Sequence, residues 1–385
     1  MAIYFISSLF IMLFGYFFQP MLNKKRKKIF IIVSFGILLI IAAMRHYTVG
    51  IDVEKHYMRR FLEISDFSLA EIPTYAKSVG YEIGYCYFTK LLSMISTDPQ
   101  CYIIGTSLIM MGAMAYFIYQ KSEDVLMSTM LFVFSCTYYM YMNIVRQGMA
   151  VSIVLIGYVL FSKSQRKIWN YIVFAGFILL ASTFHSSAVL CFLIILFDFL
   201  GFKRIHIIIS IVITVVAYLF YSQLYAAVVG FLGSNGQYER YIESSSEGVG
   251  YINFNTIFNF LLVFGAFLLG YYALIWRRKK IVHKLDTNIQ KMTIRNDNGY
   301  MYMCLMATIC RLLVMQMNII NRFAHYFIPF VFLLYPRAVC TFIPYNKRII
   351  AGIIYFAYIL FFVYMTVYNA NSFYGTVPYI MFNSR

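Results

Sequence analysis

The chain has 385 residues, of which 62% are hydrophobic and only 12% are charged, and its net charge is +17. Soluble domains carry about a quarter charged residues, so this composition cannot cover the surface of a soluble protein of this size. The basic residues stand mostly in short clusters between apolar runs, where they orient helices, and this distribution argues against nucleic-acid binding. The composition therefore indicates an integral membrane protein.

Apolar runs recur along the whole length, and each is long enough to cross about 30 Å of hydrocarbon. The runs are continuous and lack the alternation of membrane β-barrels, so helices must satisfy the backbone within the lipid. The seven cysteines form no CxxC pair and no His/Cys cluster, so no metal site is expected. The sequence predicts an all-α, polytopic protein that forms a single membrane domain over residues 1–385.

The basic clusters set the expected topology, because positive charge favours the cytoplasmic side of a membrane. The first run, 2–19, lacks a cleavage site and is expected to be a retained helix, with its N-terminus outside because the cluster at 24–28 follows it. About twelve transmembrane helices are expected, and a GT-C-like arrangement is one architecture of this kind. After the first run, the expected spans are 29–44, 101–119, 125–142, 148–161, one ending near 184, 187–202, 207–230, 257–276 and three more.

This topology predicts a long outer loop at about 45–100, a second outer loop at about 231–255 and a cytoplasmic loop at about 277–298. It also leaves several charged residues on the outer side or within apolar runs. A charge at the centre of a membrane helix costs about 2.5–3.5 kcal/mol on insertion scales. Each of these residues therefore needs an explanation.

One group of such residues is Asn143, Arg146 and Gln147, at an outer helix end. If the helix is continuous, the spacing places the two amides and the guanidinium on one face. That face would suit an anionic ligand. Alternatively, Arg146 extends from a helix end to the lipid headgroups, and these residues alone do not separate the two interpretations.

A second group contains Arg311, Asn318 and Arg322, with Asn321 beside them. Their separations of seven and four residues would stack the first three on one face of a continuous helix. Two arginines facing lipid would be costly, whereas in a polar cavity their planar guanidinium groups bind phosphate oxygens bidentately. The pattern favours an anionic ligand.

Other chemically capable residues are expected on the outer side. Arg45, Gly50 and Asp52 follow the second span, and Gly50 allows a tight turn there. Glu82 stands in an aromatic stretch that suits sugar binding, although a surface amphipathic helix explains it nearly as well. His185 lies between two spans, where it is either structural or a base or hydrogen-bond donor.

Four segments together resemble the EpsG family of Wzy-like exopolysaccharide and O-antigen polymerases. Residues 45–57 resemble the family's signature of an arginine followed by G-x-D and a tyrosine, here Tyr57, and residues 81–85 resemble its E-x-G segment. Residues 143–150 are similar to its R-Q-x-x-A helix start, and residues 184–188 to its F-H-x-S-A element. The resemblance covers about 40–190; beyond it there is mainly helical pattern with Arg322 and Tyr326. Ile51 departs from the small polar residue usual before the aspartate.

The resemblance implies a membrane glycosyltransferase-type polymerase in the bacterial cytoplasmic membrane. It would join polyprenyl-diphosphate-linked oligosaccharide repeats into exopolysaccharide or capsule at the outer face. The candidates for base or orienting acceptor are Asp52, Glu82 and His185. The candidates for substrate binding are Arg45, Tyr57, Asn143, Arg146, Gln147, Arg311, Arg322 and Tyr326. No cofactor is expected, because arginines can supply the positive charge that a diphosphate leaving group needs.

The implied partners are the lipid-linked oligosaccharide, membrane lipid, and the flippase and chain-length regulators of the same pathway. A transporter or flippase of lipid-linked glycans is one alternative, but it should carry charge deep inside several helices. A membrane O-acyltransferase is another alternative. It commonly draws an acyl donor from the cytoplasm, and His185 lies on the other side in the expected topology.

Overall fold

The computed structural model describes residues 1–163, 167–221, 223, 252–281, 287–370 and 373–383. Within these ranges the regular structure is entirely helical, which confirms the predicted all-α class. The second outer loop predicted at 231–255 lies outside the described residues up to 251. Contacts divide the chain into two compact units: Met1–Val189 with Arg348–Arg385, and Leu190–Lys347. The single membrane domain stays a prediction.

The first unit contains ten of the helices and most of a helix near the C-terminus. The ten are α1 Ala2–Phe18, α2 Lys24–Ala43, α3 Met58–Ser65, α4 Ile72–Val79, α5 Ile83–Ile95, α6 Pro99–Lys121, α7 Val125–Phe134, α8 Thr137–Asn143, α9 Val145–Lys163 and α10 Ile168–Ser182. The second unit contains α11 Phe192–Phe199, α12 Arg204–Leu219, α13 Phe254–Ile281, α14 Thr287–Leu313 and α15 Asn321–Val339. The last helix, α16 Pro344–Val363, begins in the second unit and runs into the first.

Among the described residues, length and apolar composition qualify four helical segments to cross a membrane. They are Pro99–Lys121, Val145–Lys163, Phe254–Leu274 and Pro344–Tyr368. The bent pair α7 and α8 makes a fifth if it is one span, and four further apolar helices are shorter. The described residues thus form a helical membrane protein with several spans, while the number twelve and a GT-C-like arrangement stay predictions.

Residues 45–100, which the sequence predicts as a long loop, contain the three helices α3, α4 and α5. In α3, the buried residues Met58, Phe61 and Ile64 recur every third position, so a single face packs inward. Helix α4 has a proline in its first turn and ends at Gly80, whose φ of 67° is the left-handed conformation of a helix C-cap. This segment therefore contains three short helices, and its outer location stays a prediction.

One helix that the sequence predicts as continuous is broken, and the helix that would align Asn143 with Arg146 is interrupted. The expected span 125–142 is divided into α7 and α8, which are bent by 54°, because Cys136 has a φ of 63° that no right-handed helix allows. Ile144, with ψ of 58°, then separates α8 from α9. Asn143 consequently ends one helix while Arg146 stands in the first turn of the next, so the prediction that they share one helical face is wrong.

The predicted stacking of the second arginine group on one continuous helix is also wrong. Helix α14 ends at Leu313, and a 3-10 turn at Asn318–Ile320 precedes α15, so no continuous helix stacks Arg311 on Arg322. The described residues of the inner loop predicted at 277–298 lie in helices, and the cytoplasmic location of this loop stays a prediction. Helix α13 runs to Ile281, and α14 begins at Thr287.

The C-terminal segment 373–383 packs along the loop that follows α2. Backbone N–H groups of His46, Gly50 and Ile51 donate to carbonyl oxygens of residues 380, 375 and 374, at 2.8, 2.9 and 3.2 Å. In return, the N–H of Phe382 donates to the carbonyl of Met44 at 3.0 Å. These bonds satisfy the backbone of a loop that has no regular structure of its own, and they fix the position from which Asp52 begins the next helical turn.

Candidate functional site

The start of α5 lies against the turn that follows α10. The N–H of Tyr85 donates to the carbonyl of Thr183 at 3.1 Å, and this close approach depends on Gly84. A Cβ at Gly84 would lie 2.7 Å from the Cβ of Thr183 and 2.9 Å from its carbonyl oxygen. Glycine is therefore the residue that lets residues 81–85 meet residues 183–186.

Arg146 and Glu82 form an ion pair at this meeting point. A terminal guanidinium nitrogen, Nη1, donates to Glu82 Oε2 at 2.7 Å, and the N–H of Ser186 donates to Oε1 at 2.9 Å. The two side chains are only 19% and 13% exposed. Both carboxylate oxygens are thus occupied in a largely desolvated place, where charge-assisted hydrogen bonds are stronger than on a surface.

Aromatic rings surround the guanidinium of Arg146. Its central carbon lies 3.9 Å from the centroid of the Tyr81 ring and 6.0 Å from that of Tyr85, distances typical of cation–π contacts. Burial raises the pKa of the Tyr57 hydroxyl to about 12, while the charge of Arg146 acts to lower it and that of Asp52 to raise it. We call Tyr57, Tyr81, Glu82, Arg146 and Ser186 the Arg146 cluster.

Asp52 is joined to the same region through Asn143. The loop turns at Gly50, which has a φ of 115°, and the N–H of Asp52 then donates to Asn143 Oδ1 at 2.7 Å. Asn143 is buried and stands three residues before Arg146, across the break at Ile144. The two residues that flank the break therefore have different contacts. The amide of Asn143 binds the Asp52 loop, and the guanidinium of Arg146 pairs with Glu82.

Three other predicted residues are buried in the first unit. Arg45 is fully enclosed and donates to the carbonyl of Ala42, to Ser107 Oγ at 3.1 Å and to the carbonyl of Met142 at 3.2 Å. Gln147 is buried in α9, and His185 is buried and shares a hydrogen bond of 2.6 Å between its Nδ1 and Ser187 Oγ. Their assignment to substrate binding or catalysis stays a prediction.

The remaining predicted residues belong to the second unit. Arg311 Nη1 donates to Asn321 Oδ1 at 2.7 Å, which ties the end of α14 to the start of α15. Arg322 follows in the first turn of α15, and Tyr326 is fully buried one turn later. The convergence of this group with Arg146 stays a prediction.

Several contacts in the Arg146 cluster were not predicted from the sequence. Tyr81 could have been suspected, since it stands beside Glu82 in an aromatic stretch. Ser186 binds Glu82 through its backbone N–H, a contact that side-chain identity does not reveal in a sequence. Arg60, which the sequence suggests is an ordinary solvated residue, is only 27% exposed and lies near the Tyr81 ring. In the part of the chain that the structure describes, no group of three His, Cys, Asp or Glu side chains could hold a metal ion.

The apolar helices and the motifs gathered in the first unit define a multi-pass membrane protein of polysaccharide biosynthesis. The chain belongs to the EpsG family, whose model matches residues 28–381. This confirms the family resemblance, and the match includes every predicted site residue. The family is related to Wzy-like polymerases, so membership points to a polysaccharide polymerase activity of the glycosyltransferase type. Among curated proteins and among solved structures, no match was found.

Proposed function

We propose that the chain joins polyprenyl-diphosphate-linked oligosaccharide repeats into exopolysaccharide or capsule at the outer face of the cytoplasmic membrane. The observation that carries this proposal is the assembly of distant family motifs around Arg146. Residues 81–85 and 184–188 meet at the ion pair of Glu82 with Arg146, and residues 45–57 reach the same helix break through Asn143. A structural ion pair alone would not require so many separate segments.

The proposed reaction transfers the glycan from the donor diphosphate to an acceptor sugar. The acceptor hydroxyl oxygen attacks the anomeric carbon of the donor, and the bond from that carbon to the diphosphate oxygen breaks. The electron pair of that bond leaves with the polyprenyl diphosphate, and the hydroxyl proton passes to a base. Fixed positive charge stabilises the leaving group as its bond breaks, and Arg146 is well suited because its planar guanidinium can hold two phosphate oxygens.

Three side chains remain candidates for the base. Glu82 is bonded directly to Arg146, which places a carboxylate beside the proposed leaving group. Asp52 is held through Asn143, and His185 adjoins the turn that binds Glu82. A positioned base of this kind contributes about 10²–10⁴-fold in rate, so substitution of each candidate in turn distinguishes them.

The outer location is supported by the basic clusters, which favour the cytoplasm. Single cysteines introduced at the exposed positions Lys24 and Ser186, in a chain without its native cysteines, test it. We expect an impermeant maleimide to label the Ser186→Cys variant from outside and the Lys24→Cys variant only after permeabilisation. The opposite pattern would overturn the outer-face assignment.

Chain extension by the purified protein tests the activity itself. The protein is reconstituted in liposomes with polyprenyl-diphosphate-linked oligosaccharide, and the products are separated by size. We expect a ladder of glycans that differ by one repeat. Movement of the substrate across the bilayer without extension would favour a flippase. Acylation of the glycan that depends on an added acyl donor would favour an O-acyltransferase.

A further inference from the structure

A second arginine adjoins the same aromatic ring as Arg146. The guanidinium carbon of Arg60 lies 5.8 Å from the centroid of the Tyr81 ring, and that of Arg146 lies 3.9 Å from it. The two arginines come from α3 and from α9, so two separate helices bring positive charge to one ring. Nothing in the family motifs described above includes Arg60.

We propose that Arg60 is a second diphosphate-binding residue, which holds one phosphoryl group of the isoprenoid diphosphate while Arg146 holds the other. This inference rests on the proposed function and adds to it. A diphosphate has two phosphoryl groups, and each presents oxygens that a guanidinium binds bidentately. Two arginines at one ring match a ligand with two anionic groups better than a ligand with one.

The pairing of Arg60 leaves positive charge available for such a ligand. Its Nη1 donates to Glu63 Oε2 at 2.6 Å, but Glu63 also accepts from Arg59 Nε at 2.8 Å and from the Tyr75 hydroxyl at 2.8 Å. One carboxylate is therefore shared between two guanidinium groups, so this group of residues keeps a net positive charge. By contrast, Glu82 balances Arg146 alone among the ion pairs of the described residues.

The positions of Arg59 and Arg60 show why they should differ in function. The side chain of Arg59 is 74% exposed, whereas that of Arg60 is 27% exposed and faces the Tyr81 ring. Both bind the same carboxylate and follow each other in the chain. Arg59 is therefore a matched control, because its loss removes one partner of Glu63 and one positive charge without removing a group from the ring.

Binding of farnesyl diphosphate and of farnesyl monophosphate tests the inference. Both probes carry the same lipid, and the diphosphate has the additional phosphoryl group. The full-length protein in lipid nanodiscs is compared with its Arg60→Gln, Arg59→Gln and Arg146→Gln variants. We expect Arg60→Gln to weaken diphosphate binding about tenfold and monophosphate binding less than about twofold, whereas Arg59→Gln changes neither by more than about twofold.

The two probes separate ligand contact from a general structural role. Equal weakening of both probes by Arg60→Gln, or weakening no greater than that caused by Arg59→Gln, would overturn the role of Arg60. If the Arg60→Gln variant unfolds below the temperature at which binding is measured, Arg60→Lys provides the second comparison. Lysine keeps the positive charge, so this variant should retain part of the preference for the diphosphate. If Arg146→Gln binds the diphosphate as well as the unaltered protein does, the proposed donor site itself fails, and the inference with it.

Discussion

Substitution of Arg146 by lysine separates the geometry of the guanidinium from its charge. The guanidinium donates to Glu82 at 2.7 Å and lies 3.9 Å over the Tyr81 ring. Lysine keeps the charge and can still pair with Glu82, so the variant should fold and insert. It loses the planar fork, and loss of one charge-assisted hydrogen bond costs about 1.5–3 kcal/mol. If that bond acts in the transition state, polymer formation should fall about ten- to a hundredfold.

The assay is the initial rate of chain extension in liposomes at saturating donor, with thermal melting measured on the same preparations. Arg59→Lys is the matched control, because the same substitution at a side chain that is 74% exposed should leave the rate nearly unchanged. Lys24→Ala should also leave it unchanged, since that residue orients a helix. Near-normal extension by Arg146→Lys would remove the diphosphate role and leave Arg146 as a structural partner of Glu82.

Three further substitutions test other predicted residues and the close approach at Gly84. Arg322→Lys should keep its fold but lose most chain extension, by about ten- to a hundredfold, if it binds the diphosphate. Gly84→Ala should cost about 1–3 kcal/mol of stability and much of the activity, because its Cβ would overlap Thr183, whereas Gly352→Ala meets no atom within 4 Å and should be tolerated. Arg45→Lys should lower the melting temperature and leave KM for the donor nearly unchanged. The reason is that two backbone carbonyls and the Ser107 hydroxyl accept hydrogen bonds from the buried guanidinium.

Each of these predictions has a distinct contradicting result, measured by thermal melting and chain-extension kinetics. Full activity of Arg322→Lys would assign that residue to the membrane interface. Equal behaviour of Gly84→Ala and Gly352→Ala would mean that the segments 81–85 and 183–186 need not meet closely. For Arg45→Lys, an unchanged melting temperature with a raised KM would indicate direct contact with the donor.

The long apolar helices and the family could be predicted from the sequence because they depend on local patterns. Apolar runs such as 101–119 predict a membrane helix by their length alone. The four family motifs lie in order along the chain, so they can be recognised without a structure. The helices α3 and α4 were missed because they are short and amphipathic. Helix α5 is more apolar but has only 13 residues, which is too short to be recognised as a membrane span. The break at Cys136, inside the expected span 125–142, was missed because hydrophobicity does not report backbone angles.

Some members of the candidate site could be predicted from the sequence, but their pairings could not. Arg146 and Glu82 each stood out as charges that needed an explanation, yet their ion pair joins residues separated by 64 positions in the chain. Only the folded chain brings them together, through the close approach at Gly84. The contact of Arg60 with the Tyr81 ring could not be predicted, because a local sequence of charges does not show which of Arg59 and Arg60 turns towards a ring.

Photocrosslinking with a donor analogue tests most directly whether the Arg146 cluster holds the diphosphate. The analogue carries a photoreactive group beside the diphosphate of a polyprenyl-linked oligosaccharide, and the crosslinked peptides are identified by mass spectrometry. We expect crosslinks in residues 81–85, 143–147 and 183–187, reduced by an excess of unmodified donor and weakened in the Arg146→Gln variant. Competable crosslinks confined to residues 190–347, with none in these three segments, would contradict the assignment of the donor site.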